Sequence, residues 1–195
     1  MIILNFTTSY ELTTAITNVF IFIVSFYGFI KIKKKEKLWK IFFLLMSLDS
    51  FLGCIVHGIS MTIEMNVLLW IILSILFTFT INTYLISFLK YKARYVIILS
   101  VLLSFLLIVE IYNSMDFILT FTIYVIVALL ISVYFVIKEK YKNKNYYLIS
   151  IIILFIGGIF MLSDIHIGCL NHNGILHIFM TITMILLYLG IKKND

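Results

Sequence analysis

Residues 31–40 read KIKKKEKLWK, six lysines in ten positions, and long apolar runs close on them from both sides. The chain repeats this device three times more, at Lys90 to Arg94, at Lys138 to Lys144 and at Lys192-Lys193. The four clusters hold all 15 Lys and Arg of the 195 residues. Between and before them lie seven apolar runs, near Glu11–Ile32, Ile41–Met61, Val67–Leu89, Tyr95–Tyr112, Phe117–Ile137, Tyr146–Ser163 and Gly174–Ile191. The basic clusters occupy every second loop and the C-terminal end. Cytoplasmic loops carry the excess of Lys and Arg, so the pattern predicts an all-α bundle of seven transmembrane helices, N-terminus outside and C-terminus cytoplasmic. Six or eight spans would break the alternation.

Composition agrees. The chain is 63% hydrophobic and 12% charged, against about 25% charged residues in an ordinary soluble domain. A helical span needs roughly 20 apolar residues to cross a hydrocarbon core of about 30 Å, and seven spans leave room only for short loops. The runs lack the two-residue alternation of an outer-membrane barrel. There is no proline, so no span requires a proline kink, and Gly157-Gly158 marks the place for close helix contact or bending. No cleavable signal, repeat or second domain is read, and residues 1–195 form one transmembrane domain. The net charge of +6 is a topology signal, not a nucleic-acid footprint. Two cysteines make no disulfide framework, and Cys54 and Cys169 read as free.

Orientation gives each polar residue a depth. The second helix runs outward, placing His57 near its outer end. The seventh runs inward, placing His177 about one turn below the outer surface. Asp164, His166, Cys169 and His172 belong to the turn between helices six and seven, on the same side. All four histidines therefore gather at the non-cytoplasmic face. Ser50, Cys54 and His57 share one stripe of helix two, and Gly53 clears space beside His57. Asp49 lies near mid-membrane, where a carboxylate is costly unless paired, protonated or facing a wet cavity. Asn173 and His177 stand one turn apart, with Tyr188 on nearly the same face. Glu11, Thr14 and Asn18 form a stripe on helix one.

Three neutral imidazoles, or two with a carboxylate, suit zinc with one position open for water. His57, His177 and either His172 or Asp164 are the candidate metal ligands. Zinc held this way lowers the pKa of its water to about 7 and polarises a carbonyl. Asp164 or Asp49 would then handle protons, and Ser50 or Asn173 would orient substrate or steady an oxyanion. Other polar residues take structural readings. His166 reads as an exposed loop residue, Glu64 and Asp116 as solvated loop charges, and Glu110 as a helix-end charge. Asn82, with Thr78 and Thr80, reads as interhelical hydrogen-bonding glue.

These motifs resemble the CREST superfamily of seven-helix membrane proteins, which includes alkaline ceramidases, progestin/adipoQ receptors and haemolysin-III-type proteins. E-L-T-T-A-I-T-N (Glu11–Asn18) looks like the E…N opening of ceramidase-type first helices. G-C-I-V-H-G (Gly53–Gly58) stands in the helix-two position, with His57 matching a ligand. D-I-H-I-G-C (Asp164–Cys169) resembles the D-x4-C spacing before the last helix. N-H-N-G-I-L-H (Asn171–His177) then provides His177 as a helix-seven ligand. The resemblance implies a zinc-dependent hydrolase acting on a lipid amide or ester taken from the membrane. Two departures stand out: Gly53 replaces the serine of S-x-x-x-H, and Asn173 replaces the first histidine of H-x-x-x-H, with His172 as a displaced substitute. Two expectations follow, a hydrolase with a changed ligand set or a non-catalytic relative that binds a lipid, small molecule or metal.

Overall fold

The computed structural model describes residues 9–89, 118–138, 143–163 and 165–193, together with 98, 102, 105–110, 112 and 113. Among these the chain is all-helical, with seven helices in order. They are α1 (Ser9–Lys31), α2 (Lys37–Gly58), α3 (Ile63–Leu89), α4 (described at 105–110 and the flanking single positions), α5 (Ile118–Lys138), α6 (Lys144–Met161) and α7 (His172–Lys192). Five helices, α1, α2, α3, α6 and α7, are long and apolar enough to cross a membrane. The chain thus has the make-up of a multi-pass membrane protein. The predicted run Tyr95–Tyr112 lies largely outside the described residues; the other six runs and their helices agree to within about a turn. The largest differences are at α2 and α3, which begin at Lys37 and Ile63, ahead of the predicted starts at Ile41 and Val67.

The described helices pack in a ring. α1 lies against α2 and α7, α2 against α3, α3 against α5, α5 against α6, and α6 against α7. Two glycines set the closest approaches. A Cβ at Gly28 of α1 would collide with the ring of Phe43 on α2, and one at Gly157 of α6 would sit 2.8 Å from Phe179 Cβ on α7. Small residues let helices approach this closely in a bilayer, where packing has to do the work that water does elsewhere.

The ring is filled unevenly. At the end bearing the basic clusters, Trp39, Phe42 and Phe43 of α2 meet Tyr84 and Phe88 of α3 and Tyr147 of α6. Trp39 makes edge contacts with Phe88 at 5.0 Å and Tyr84 at 5.9 Å, and stacks on Tyr147 at 5.9 Å between centroids. Offset and edge arrangements are the favoured ones for aromatic quadrupoles. This aromatic plug closes one end of the bundle. Toward the opposite end, where the histidines lie, the interior is hollow.

Asn82 has the structural role its sequence context implies: its Oδ1 accepts a 2.7 Å hydrogen bond from the hydroxyl of Tyr124 and ties α3 to α5. Glu110 is more than a helix-end charge, because Thr120 of α5 donates a 2.7 Å hydrogen bond to its Oε1.

Candidate functional site in the helix bundle

The stretch between α6 and α7 folds as a tight turn. Ile167 and Leu170 exchange backbone hydrogen bonds of 2.9 and 3.0 Å, and Gly168 takes a φ of 61°, the left-handed conformation that glycine adopts without a Cβ penalty. Asn171 then caps α7, its side-chain oxygen accepting from the Gly174 amide at 2.9 Å. The same oxygen accepts from the Thr14 hydroxyl at 3.0 Å, and the Cys169 carbonyl accepts from Thr13 at 2.8 Å. Both bonds pin the turn to the first helix. Asn171→Ala removes a cap and an interhelical bond together and is expected to cost about 1–2 kcal/mol. Asn171→Asp, which keeps the acceptor, should recover most of it. Thermal unfolding of the two variants beside the native chain measures this.

The anchored α7 presents His177 to the bundle interior. Thr17 donates its own proton to the Thr14 carbonyl at 2.9 Å, so its oxygen can only accept from His177 Nδ1, 3.1 Å away. The Thr14 carbonyl, 3.4 Å from the same nitrogen, is also acceptor-only. Both neighbours assign the proton to Nδ1 and leave Nε2 with its lone pair. Histidines that bind metals or accept protons are oriented in this way, through the nitrogen that does not react.

His57 faces His177 with 6.3 Å between ring centroids and meets the edge of Trp70 at 5.6 Å. Gly53 lies one turn before it. A Cβ there would fall 3.1–3.3 Å from the amide of Asn18, so the carboxamide of α1 occupies the space that a serine would otherwise share. Asn18, Gly53, His57, Trp70, Asn173 and His177 all line a partly open cavity of about 520 Å³ between the helices. Ser50 and Asp49 line it deeper, with Asp49 eight residues before His57 and thus about 12 Å along the helix axis.

The structure therefore brings His57, His177, Asn173, Ser50 and Asp49 to one cavity. His172 takes another position: its ring is 6.5 Å from that of His166 in the turn, and its Nδ1 is buried without a hydrogen-bond partner among the described residues. Asp164 lies outside the described residues. Cys54 and Cys169 are both free. Tyr188 packs edge-on against Tyr27 of α1 at 5.5 Å.

Zinc can be tested against this geometry. Two imidazoles on one tetrahedral zinc, with Zn–N bonds of about 2.0–2.1 Å, hold their centroids about 5 Å apart. The His57–His177 pair stands roughly an ångström wider than that. Among the described residues, no group of three or more His, Cys, Asp or Glu is placed to hold a metal ion. They supply two imidazoles where a catalytic zinc takes three protein ligands.

Two features of the site escape a reading of the sequence by helical stripes. Thr17 is the residue that orients His177, and Asn18 is the residue that fills the Gly53 notch. Thr17 acts from α1 across 160 positions of chain and Asn18 on the neighbouring helix α2, although their place on the polar side of α1 was the available signal.

Residues 13–195 match the family of unknown function DUF6962, and the chain belongs to that family. No curated protein and no solved structure matches it.

Proposed function

We propose that this is a seven-span membrane protein, N-terminus outside and C-terminus cytoplasmic, that binds a lipid-like amphiphile in the cavity between its helices. The alternation of basic clusters supports the orientation. The cavity itself carries the binding reading. Its volume of about 520 Å³ is that of a small-molecule site, which is typically apolar with a few placed polar groups. Leu73, Phe77 and Met184 wall it with hydrocarbon, while His57, His177, Asn18 and Asn173 gather hydrogen-bonding groups in one region. The aromatic plug shuts the basic end, which leaves the histidine end and the outer leaflet for entry.

A second reading is favoured by one observation, the free Nε2 of a tautomer-locked His177 facing His57. On it, the bound amphiphile carries an amide or ester that a zinc-assisted reaction hydrolyses. A bound zinc would supply carbonyl polarisation and an acidified water. His57 and His177 would hold it, and Ser50 or Asn173 would position the substrate.

One preparation tests both readings. Protein purified in nanodiscs is extracted for small molecules by mass spectrometry and assayed for zinc, beside His57→Ala and His177→Ala. Enrichment of one amphiphile class over the surrounding bilayer is the expected result, and an extract identical to the bilayer overturns the binding reading. The hydrolytic reading expects about one zinc per chain, lost in both variants. Zinc absent from the native chain, or unchanged in the variants, overturns it.

A further inference from the structure

Asp49 is the one carboxylate lining the cavity among the described residues, and no Lys or Arg lines it. The residue is 7% exposed, and its Oδ1 is buried without a hydrogen-bond partner. The hydroxyls of the same wall do not answer it. Ser50 donates to the Met46 carbonyl at 2.8 Å, Ser74 to Ile71 at 2.8 Å, Thr80 to Leu76 at 2.9 Å and Thr183 to Ser150 at 3.3 Å. With its proton spent on backbone, each hydroxyl turns only lone pairs to its surroundings. These four hydroxyls thus offer acceptors and no donor.

A carboxylate at this depth is costly unless it is paired, protonated or facing a wet cavity, and no Lys or Arg of the cavity wall pairs with it. We propose that Asp49 receives the protonated amine of the amphiphile that occupies the cavity, a proposal that rests on the binding reading above. An ammonium group brings three N–H donors and a positive charge, the complement of one carboxylate among acceptor hydroxyls. Charge-assisted bonds of this kind are about twice as strong as neutral ones. The cavity is far larger than a bare monovalent cation needs, and its walls at Leu73, Phe77, Leu129 and Met184 suit the hydrocarbon of a long-chain amine. The ligand class is a cationic amphiphile, in place of a neutral or anionic lipid.

The experiment uses the full chain in zwitterionic nanodiscs, titrated with dodecylamine and with dodecanol. Tryptophan fluorescence, to which Trp70 of the cavity wall contributes beside Trp39, reports binding after correction for partition into empty nanodiscs. The amine is expected to bind at least about tenfold tighter than the alcohol, the increment of a charge-assisted bond. Asp49→Asn should bring the two within about threefold by weakening the amine alone. Equal affinities in the native chain overturn the role of Asp49 and leave the cavity reading standing. Displacement of the amine by sodium chloride but not by choline chloride at equal ionic strength reassigns the carboxylate to a bare cation and also overturns it. If neither probe binds, the cavity reading falls, and this proposal with it.

Discussion

Trp39→Ala lowers the unfolding free energy by about 3 kcal/mol, the lower end of the range for large aromatic truncations. Trp39 is 5% exposed and touches four rings: Phe42, Tyr84, Phe88 and Tyr147. Those rings come from three helices, so one truncation loosens α2, α3 and α6 together. In a soluble core the loss combines a transfer term with a cavity term. In a bilayer the unfolded reference is lipid and not water, so the transfer term shrinks and the packing term dominates. Hence the lower end of the range. Trp39→Phe, which keeps a ring at the centre, should lose about half as much. Reversible unfolding in mixed micelles measures both, and a loss below about 1 kcal/mol for Trp39→Ala would show that the plug does not hold the bundle together.

On the binding reading proposed above, Gly158→Leu weakens ligand binding and leaves the fold intact. The two adjacent glycines of α6 serve opposite purposes. Gly157 lets α7 come close, whereas a Cβ on Gly158 meets nothing within 4 Å, and Gly158 borders the cavity. A leucine there fills space that the ligand needs. Replacing a mid-helix glycine with a good helix former also gains about 0.8–1 kcal/mol, so the melting temperature should hold or rise. Retention of the co-purifying amphiphile, or affinity for dodecylamine, should fall by at least about tenfold, since a well-packed site has no room to yield. Unchanged binding in this variant would place the ligand elsewhere on the protein.

The helices and the meeting of His57 with His177 were legible because both depend on local patterns. Basic clusters set direction, direction sets depth, and helical periodicity sets the face. His57 and His177 were placed at one depth on two helices by that reasoning alone, and the structure puts their rings 6.3 Å apart. What was not legible depends on which helices are neighbours. Nothing in the local pattern of α1 says that Thr17 meets His177, or that Asn18 lies in the notch left by Gly53. His172 shows the same limit from the other side. Its position in sequence, five residues before His177, suggested a ligand, but Asn171 caps the helix just ahead of it, so that His172 opens α7 beside His166 of the turn.

The bonds from Thr13, Thr14 and Thr17 to Cys169, Asn171 and His177 also bear on how the protein is made. α1 is completed by α7, which is synthesised well after it. At about 5–20 residues per second, the roughly 160 positions between them amount to on the order of ten seconds or more of synthesis. Throughout that interval the hydroxyls of α1 lack the partners they will have in the finished ring. The cavity lacks its α7 wall until that helix arrives, so the site is complete only then. Any ligand present in the bilayer at that moment has an open flank by which to enter.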